Sequence, residues 1–169
     1  SKKIHEVDKS KIWEIRHYSW SPDSKWICYS LPQQNRKNKR RKIYIYSVVT
    51  QKKFPVTNEK HHSHSPIFSD DGKYLFFISK RDFHPLLWEL EKHYTYQNME
   101  RIFLLTLAKE TPSPFAPKIE NMKTYKKFRK DCKKTKIDLD GLSQRIAVLP
   151  IESSQYRKLN SCGRFLYYL

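Results

Sequence analysis

Seven histidines and a scatter of serines are the residues of this chain best suited to chemistry. His61, His62 and His64 stand close together, and His84, Glu89, Glu91 and His93 share one short stretch. A zinc site needs several such side chains converging on one point, with supporting groups behind them. The first group sits just before an apolar segment, where strand alternation sends neighbouring side chains to opposite faces. Loop histidines with ordinary hydrogen bonds are therefore expected, and no metal and no cofactor is assigned. Ser21, Ser65 and Ser69 fall at turns and strand ends, and no G-x-S-x-G elbow is present. A nucleophilic serine needs a base and an oxyanion hole, so no catalytic residue is assigned. With glycine only at Gly72, Gly141 and Gly163, a glycine-rich phosphate cradle is excluded.

Charge is the next signal. Lys and Arg number 34 against 17 Asp and Glu, a formal net charge of +17. Residues 33–42 read QQNRKNKRRK, and Arg36, Lys37, Lys39, Arg40, Arg41 and Lys42 form a candidate basic contact loop. Residues 119–136 carry eight basic residues and two acids, with Tyr125 and Phe128 interleaved among them. Aromatic side chains that stack on bases would strengthen a nucleic-acid reading, and the 33–42 run has none. Any nucleic-acid contact is expected to be non-specific and salt-sensitive. Aromatics make up 14% of the chain, too many for a disordered polypeptide. Cys28, Cys132 and Cys162 are odd in number and widely spaced, which suggests neither a metal pair nor a disulfide framework. A reducing setting is expected. Apolar runs such as 74–78 are far shorter than the roughly 20 residues a bilayer demands, so no membrane partner is expected. The first residue is Ser1 rather than Met, and the natural N-terminus is expected to lie upstream.

An internal repeat supplies the elements that must position these residues. Residues 20–29, WSPDSKWICY, align without a gap to residues 68–77, FSDDGKYLFF, at an offset of 48. Residues 163–168 fit the same frame as 72–77, and IYIYSV at 43–48 matches IFLLTL at 102–107, with IAVL at 146–149 in the corresponding place of a third unit. Pro22 presets φ at the second position of a tight turn, and Asp23 and Asp71 suit the third. The next position belongs in the left-handed region, where Gly72 and Gly163 are at ease and Ser24 costs about 1 kcal/mol. The runs 26–29, 74–78 and 102–107 are apolar without alternation, so each needs cover on both faces. Strands sandwiched between neighbouring sheets have that cover, as the blades of a β-propeller do.

The fold class expected is thus all-β: a partial β-propeller of four-stranded antiparallel blades, with about two blades and parts of flanking ones. Residues 1–11 would end a preceding blade. Residues 12–59 would form the first blade, and 60–118 the second with an insertion at 83–100. Residues 119–136, following the Pro-rich stretch at 111–117, would be a mobile linker. Residues 137–169 would begin a third blade.

Several strings carry a family resemblance. SWSPDSKWI at 19–27 and SPIFSDDGKYL at 65–75 look like the blade motif of TolB-type propellers. RDF at 81–83, YTYQNMER at 94–101, TPSPFAPK at 111–118 and KIDLDGL at 136–142 are similar to the propeller region of tricorn protease homologues. The resemblance spans nearly the whole chain. It implies a non-catalytic propeller portion of a large cytoplasmic serine peptidase, whose PDZ-like domain and catalytic core lie elsewhere. The implied partners are the remaining domains of that peptidase and the peptides it handles.

Overall fold

The computed structural model describes residues 4–33, 40–82, 85–86, 95–96, 98–115, 134–163 and 165–169. Among the described residues lie twelve strands: β1 (Arg16–Trp20), β2 (Trp26–Pro32), β3 (Arg41–Ser47), β4 (Lys52–Pro55), β5 (His62–Phe68), β6 (Tyr74–Lys80), β7 (Pro85–Leu86), β8 (Thr95–Tyr96), β9 (Glu100–Thr106), β10 (Ile146–Val148), β11 (Asn160–Cys162) and β12 (Phe165–Tyr167). Two four-stranded antiparallel sheets run in the orders β1-β2-β3-β4 and β10-β9-β6-β5. β7 with β8, and β11 with β12, make two-stranded hairpins.

Register explains why the central strands do not alternate. Cys28 lies opposite Ile45 and Ser30 opposite Ile43, so these residues share one face of the first sheet. Leu75 opposes Leu105 and Phe77 opposes Phe103 on one face of the second. Those two faces meet in the main core, which also takes Val56, Phe68, Leu107 and Leu142. The opposite face of the first sheet, with Ile27, Tyr29 and Tyr46, is covered by Val7 and Ile15 from the N-terminal segment. The opposite face of the second, with Ile78 and Ile102, is covered by Tyr156, Leu159, Ile151 and Leu166. Both sheets therefore have apolar cover on two sides, which is what the unbroken runs require.

Arg81 and Asp82 have a structural use beside this core, whereas Phe83 lies outside the described residues. The Arg81 guanidinium lies 4.2 Å from the Phe103 ring centroid, and Asp82 pairs with Arg101 on β9. A desolvated guanidinium over an aromatic face is attracted by the ring's quadrupole.

Strand pairing corrects three expectations. Residues 146–149 do not serve a third unit; β10 pairs with β9 (Ile146 with Leu105, Val148 with Phe103) and forms the outer strand of the second sheet. Gly141, at φ 69, turns the chain into a short 3-10 helix, Leu142–Arg145. Arg145 then donates to the carbonyls of Thr106 at 3.0 Å and Leu107 at 3.2 Å, hooking the returning strand onto β9. The basic stretch before it thus connects two strands of one sheet rather than two blades. Residues 119–133 lie outside the described residues, as do most of the 83–100 insertion's positions, but Thr135 is buried rather than part of a mobile tether. The second correction concerns the N-terminus. Residues 4–11 form no strand; they cross the face of the first sheet, where Asp8 accepts from the Tyr29 hydroxyl at 2.7 Å and from Lys53 at 3.0 Å. The third concerns the C-terminal hairpin. Cys162 pairs directly with Phe165, so Gly163 sits in a turn two residues long rather than in the longer blade turn.

Candidate functional site

The two blade turns are superposable in their bonding. Ser21 N–H donates to the Trp26 carbonyl at 2.9 Å and Ser24 N–H to the Ser21 carbonyl at 2.9 Å. Ser69 and Gly72 repeat both bonds, to Tyr74 and Ser69, at 2.9 Å each. In each turn the serine hydroxyl is the brace. Ser21 Oγ donates to Asp23 at 2.7 Å and accepts from Trp26 N–H at 3.0 Å. Ser69 Oγ donates to Asp71 at 2.6 Å and accepts from Tyr74 N–H at 2.9 Å. Asp23 and Asp71 also accept from the N–H groups of Lys25 and Lys73. The left-handed position is Ser24 at φ 58 in the first turn, Gly72 at φ 68 in the second, and Gly163 at φ 59 in the C-terminal hairpin. Pro22 is exposed at the tip. The S-x-D spacing was the signal for these braces, since a hydroxyl two residues before a carboxylate can reach both it and the returning strand. Ser69→Ala is expected to cost about 1–2 kcal/mol, because it strands a partly buried N–H and a carboxylate. Urea melts check this, and an unchanged midpoint would show the brace is dispensable.

A segment distant in sequence joins the turns. Thr135 N–H donates to Asp23 Oδ2 at 3.0 Å, and Thr135 Oγ1 lies only 2.7 Å from where a Gly72 side chain would begin. Burial opposes ionisation of Asp23, but hydrogen bonds from Ser21, Thr135 and Lys25 outweigh it and hold its carboxyl below the ordinary carboxylate range. Asp70 ties in the third hairpin by accepting from Gly163 N–H at 2.6 Å.

Of the basic loop, Arg36, Lys37 and Lys39 lie outside the described residues. Arg40 is exposed. Arg41 is turned inward, donating to the carbonyls of Ser30 at 3.3 Å and Glu14 at 3.2 Å. Lys42 stands 3.8 Å from Glu59 and 5.5 Å above the Tyr44 ring. Tyr125 and Phe128 of the second basic stretch, and Cys132, fall outside the described residues, whereas Cys28 is buried and Cys162 exposed.

β1 brings a third histidine, distant in sequence, to the pair on β5. β1 and β5 each carry a bulge with a left-handed residue at equivalent positions, His17 at φ 54 and Ser65 at φ 52. Such bulges re-aim side chains. The His17 ring comes to 5.9 Å from that of His64, which is 5.2 Å from His62. Among the described residues no three His, Cys, Asp or Glu side chains converge to hold a metal ion. His84, Glu89, Glu91 and His93 lie outside them.

One contact has the order of a hydrolase relay. Ser65 Oγ is 3.0 Å from His64 Nδ1, and His64 Nε2 is 3.3 Å from Glu100. Three facts argue against a nucleophile here. Ser65 is buried, and the polar cavity of about 380 Å³ beside it is lined by His64, Glu100 and Lys80 but not by Ser65. The next residue is Pro66, which has no N–H to donate to an oxyanion. Glu100 is shared with Lys80 at 3.5 Å and Tyr156 N–H at 3.0 Å rather than dedicated to His64. Burial disfavours the Glu100 carboxylate, but its bonds from His64, Lys80 and Tyr156 outweigh this and keep it below the ordinary glutamate range.

Four-stranded antiparallel meanders stacked face to face, each opening on the same braced turn, define a segment of a β-propeller. The sequence matches the family described as the tricorn protease second beta propeller domain over residues 1–169, and the chain belongs to that family. It is 30% identical over 167 residues to the protein named tricorn protease homolog 1 of Streptomyces coelicolor, a match covering 95% of this chain and 15% of that protein. It is 26% identical over 159 residues to a tricorn protease of Thermoplasma volcanium, covering 92% of this chain and 15% of the relative. The fold resembles the crystal structure of the tricorn protease with a TM-score of 0.74 at 20% identity, over 90% of this chain and 14% of the other. The chain thus spans about a seventh of the length of these relatives.

Proposed function

We propose that this chain is a non-catalytic propeller segment of a larger tricorn-type serine peptidase, where it handles or gates peptide substrates for a core supplied by other domains. The observation that carries this reading is the buried Ser65 followed by Pro66: this serine, whose hydroxyl meets the His64 ring, has neither access to the neighbouring cavity nor the usual backbone oxyanion donor. What the blades offer instead is strand edges and loops for contact. The partners are the rest of the peptidase and its peptides, in the cytoplasm; contact with nucleic acid is non-specific, since Arg41 and Lys42 are spent on internal bonds.

The test is an assay of purified chain against a panel of unstructured fluorogenic peptides, paired with photo-crosslinking of the same peptides. No turnover is expected, with crosslinks concentrated on β1 and β5. Inhibitor-sensitive turnover lost in Ser65→Ala would overturn the non-catalytic reading. Failure of every peptide to crosslink above background would overturn the handling role.

A further inference from the structure

β5 is the seam of the molecule, since it pairs with β6 in its own sheet and packs against β1, β2 and β3 of the other. One polar bond across that seam depends on a single imidazole. Arg41 N–H, at the start of β3, donates to His62 Nδ1 at 3.2 Å. Only a neutral imidazole with its proton on Nε2 can accept there; a cationic ring carries N–H at both nitrogens and accepts nothing. Protonation of His62 therefore removes the bond and sets two donors against each other.

The surroundings raise the cost of that proton. Facing His62 are His64 on its own strand, Arg41 from β3, Lys80 from β6 and Glu100 from β9. Glu100 is the one anion in this group, and Lys80 and His64 already share it. Across the seam His17 faces His64, with Arg16 and Arg41 beside it. We propose that His62, His64 and His17 form a proton-operated latch between the two blades: with His62 neutral it clasps β3 to β5, and on protonation it lets β1 and β3 part from β5.

Burial first, then the charges of His64, Lys80 and Arg41, push the His62 imidazole down to about 4, with Glu100 opposing. Burial and His64 lower His17 in the same sense. A freed histidine titrates near 6.5. Between these values the parted seam binds more protons than the closed one, so the latch holds above pH 6.5 and weakens as the pH falls toward 4.

Cys28 reports the seam directly, because its thiol is fully buried and points at the Pro66 carbonyl of β5, 3.5 Å away. In a Cys132→Ser, Cys162→Ser background, its reaction with 4,4′-dithiodipyridine is measured and divided by the rate for the urea-unfolded chain at each pH. A rise of about ten-fold between pH 7 and 4.5 is expected, with the β-sheet circular dichroism retained. His62→Asn keeps an acceptor for Arg41 but does not titrate, and should hold the rise below about three-fold. An equal rise in His62→Asn, no rise in the parent, or loss of the sheet signal in step with labelling overturns the latch. The NMR titration of the His62 ring in the parent is independent of whether the variant folds. A midpoint below about 5 is expected, and one near the free value of about 6.5 overturns the proposal.

Discussion

Truncating Phe77 to alanine is expected to destabilise the chain by about 3–5 kcal/mol, the range for removing a large buried aromatic side chain. Phe77 is completely buried in the face where the two sheets meet. Its ring stacks on Phe103 with centroids 5.6 Å apart, and both rings lie under Arg81. The void left behind is bounded by two sheets whose backbone bonds resist collapse, so the cavity contribution stays large. Across the interface the same core takes Ile43 and Ile45 from β3 and Cys28 from β2, and Ile45→Ala should cost about 2–5 kcal/mol. Unfolding in urea, followed by both fluorescence and circular dichroism, checks this. A loss below about 1 kcal/mol for Phe77→Ala would mean that the sheets do not share a core. A double-mutant cycle between Phe77 and Ile45 adds the same information: additive losses would argue that the two blades unfold separately.

Gly72→Ala is expected to cost about 2–4 kcal/mol, and Ser24→Gly to stabilise by about 0.5–1 kcal/mol. The two positions are 48 residues apart in the repeat and share a left-handed backbone, φ 68 at Gly72 and φ 58 at Ser24. An alanine at 72 meets two penalties. One is the left-handed strain common to both turns. The other is local to the second turn, where the new Cβ would stand 2.7 Å from Thr135 Oγ1. Thr135 is short, buried and anchored through its N–H to Asp23, so it has little room to yield. Ser24 is exposed and carries only the strain, which glycine relieves at the cost of a more flexible unfolded chain. Denaturant melts of both variants, and of Gly72→Ala in a Thr135→Ala background, separate the penalties. The loss should shrink in that background to the strain alone, about 1–2 kcal/mol. An undiminished loss would show that Thr135 does not press on the turn, and a destabilised Ser24→Gly would place another turn type there.

The turn motif was legible because everything that makes it is local. Ser69, Asp71, Gly72 and Tyr74 lie within six consecutive residues, and their bonds close without help from the rest of the fold. The three apolar runs were equally legible, because β-branched and aromatic residues between turn signals leave few alternatives. β10 was not. Three residues, Ile146, Ala147 and Val148, pair with β9 from across the long basic stretch, and their periodicity is too short to name a partner strand. What returned them was Arg145 holding two carbonyls of the second sheet, a contact no spacing in the sequence announces.

The candidate site divides along the same line. His62 and His64 were visible as a cluster, and alternation does place the two on one side of β5, with Ser63 between them paired to Ser79. That His17 joins them depends on a bulge and on the packing of β1 against β5, since His17 and His64, whose rings meet, stand 47 positions apart. The amino-acid sequence by itself determined the strands, the repeat and the braced turns, since these rest on backbone preferences and hydrogen bonds spanning a few residues. The tertiary structure alone decided which strand completes the second blade, that Thr135 wedges between the turns, and that His17 meets His64 across the seam. Those outcomes depend on two sheet faces seeking cover from the same water, and that competition is settled only when the whole chain is packed.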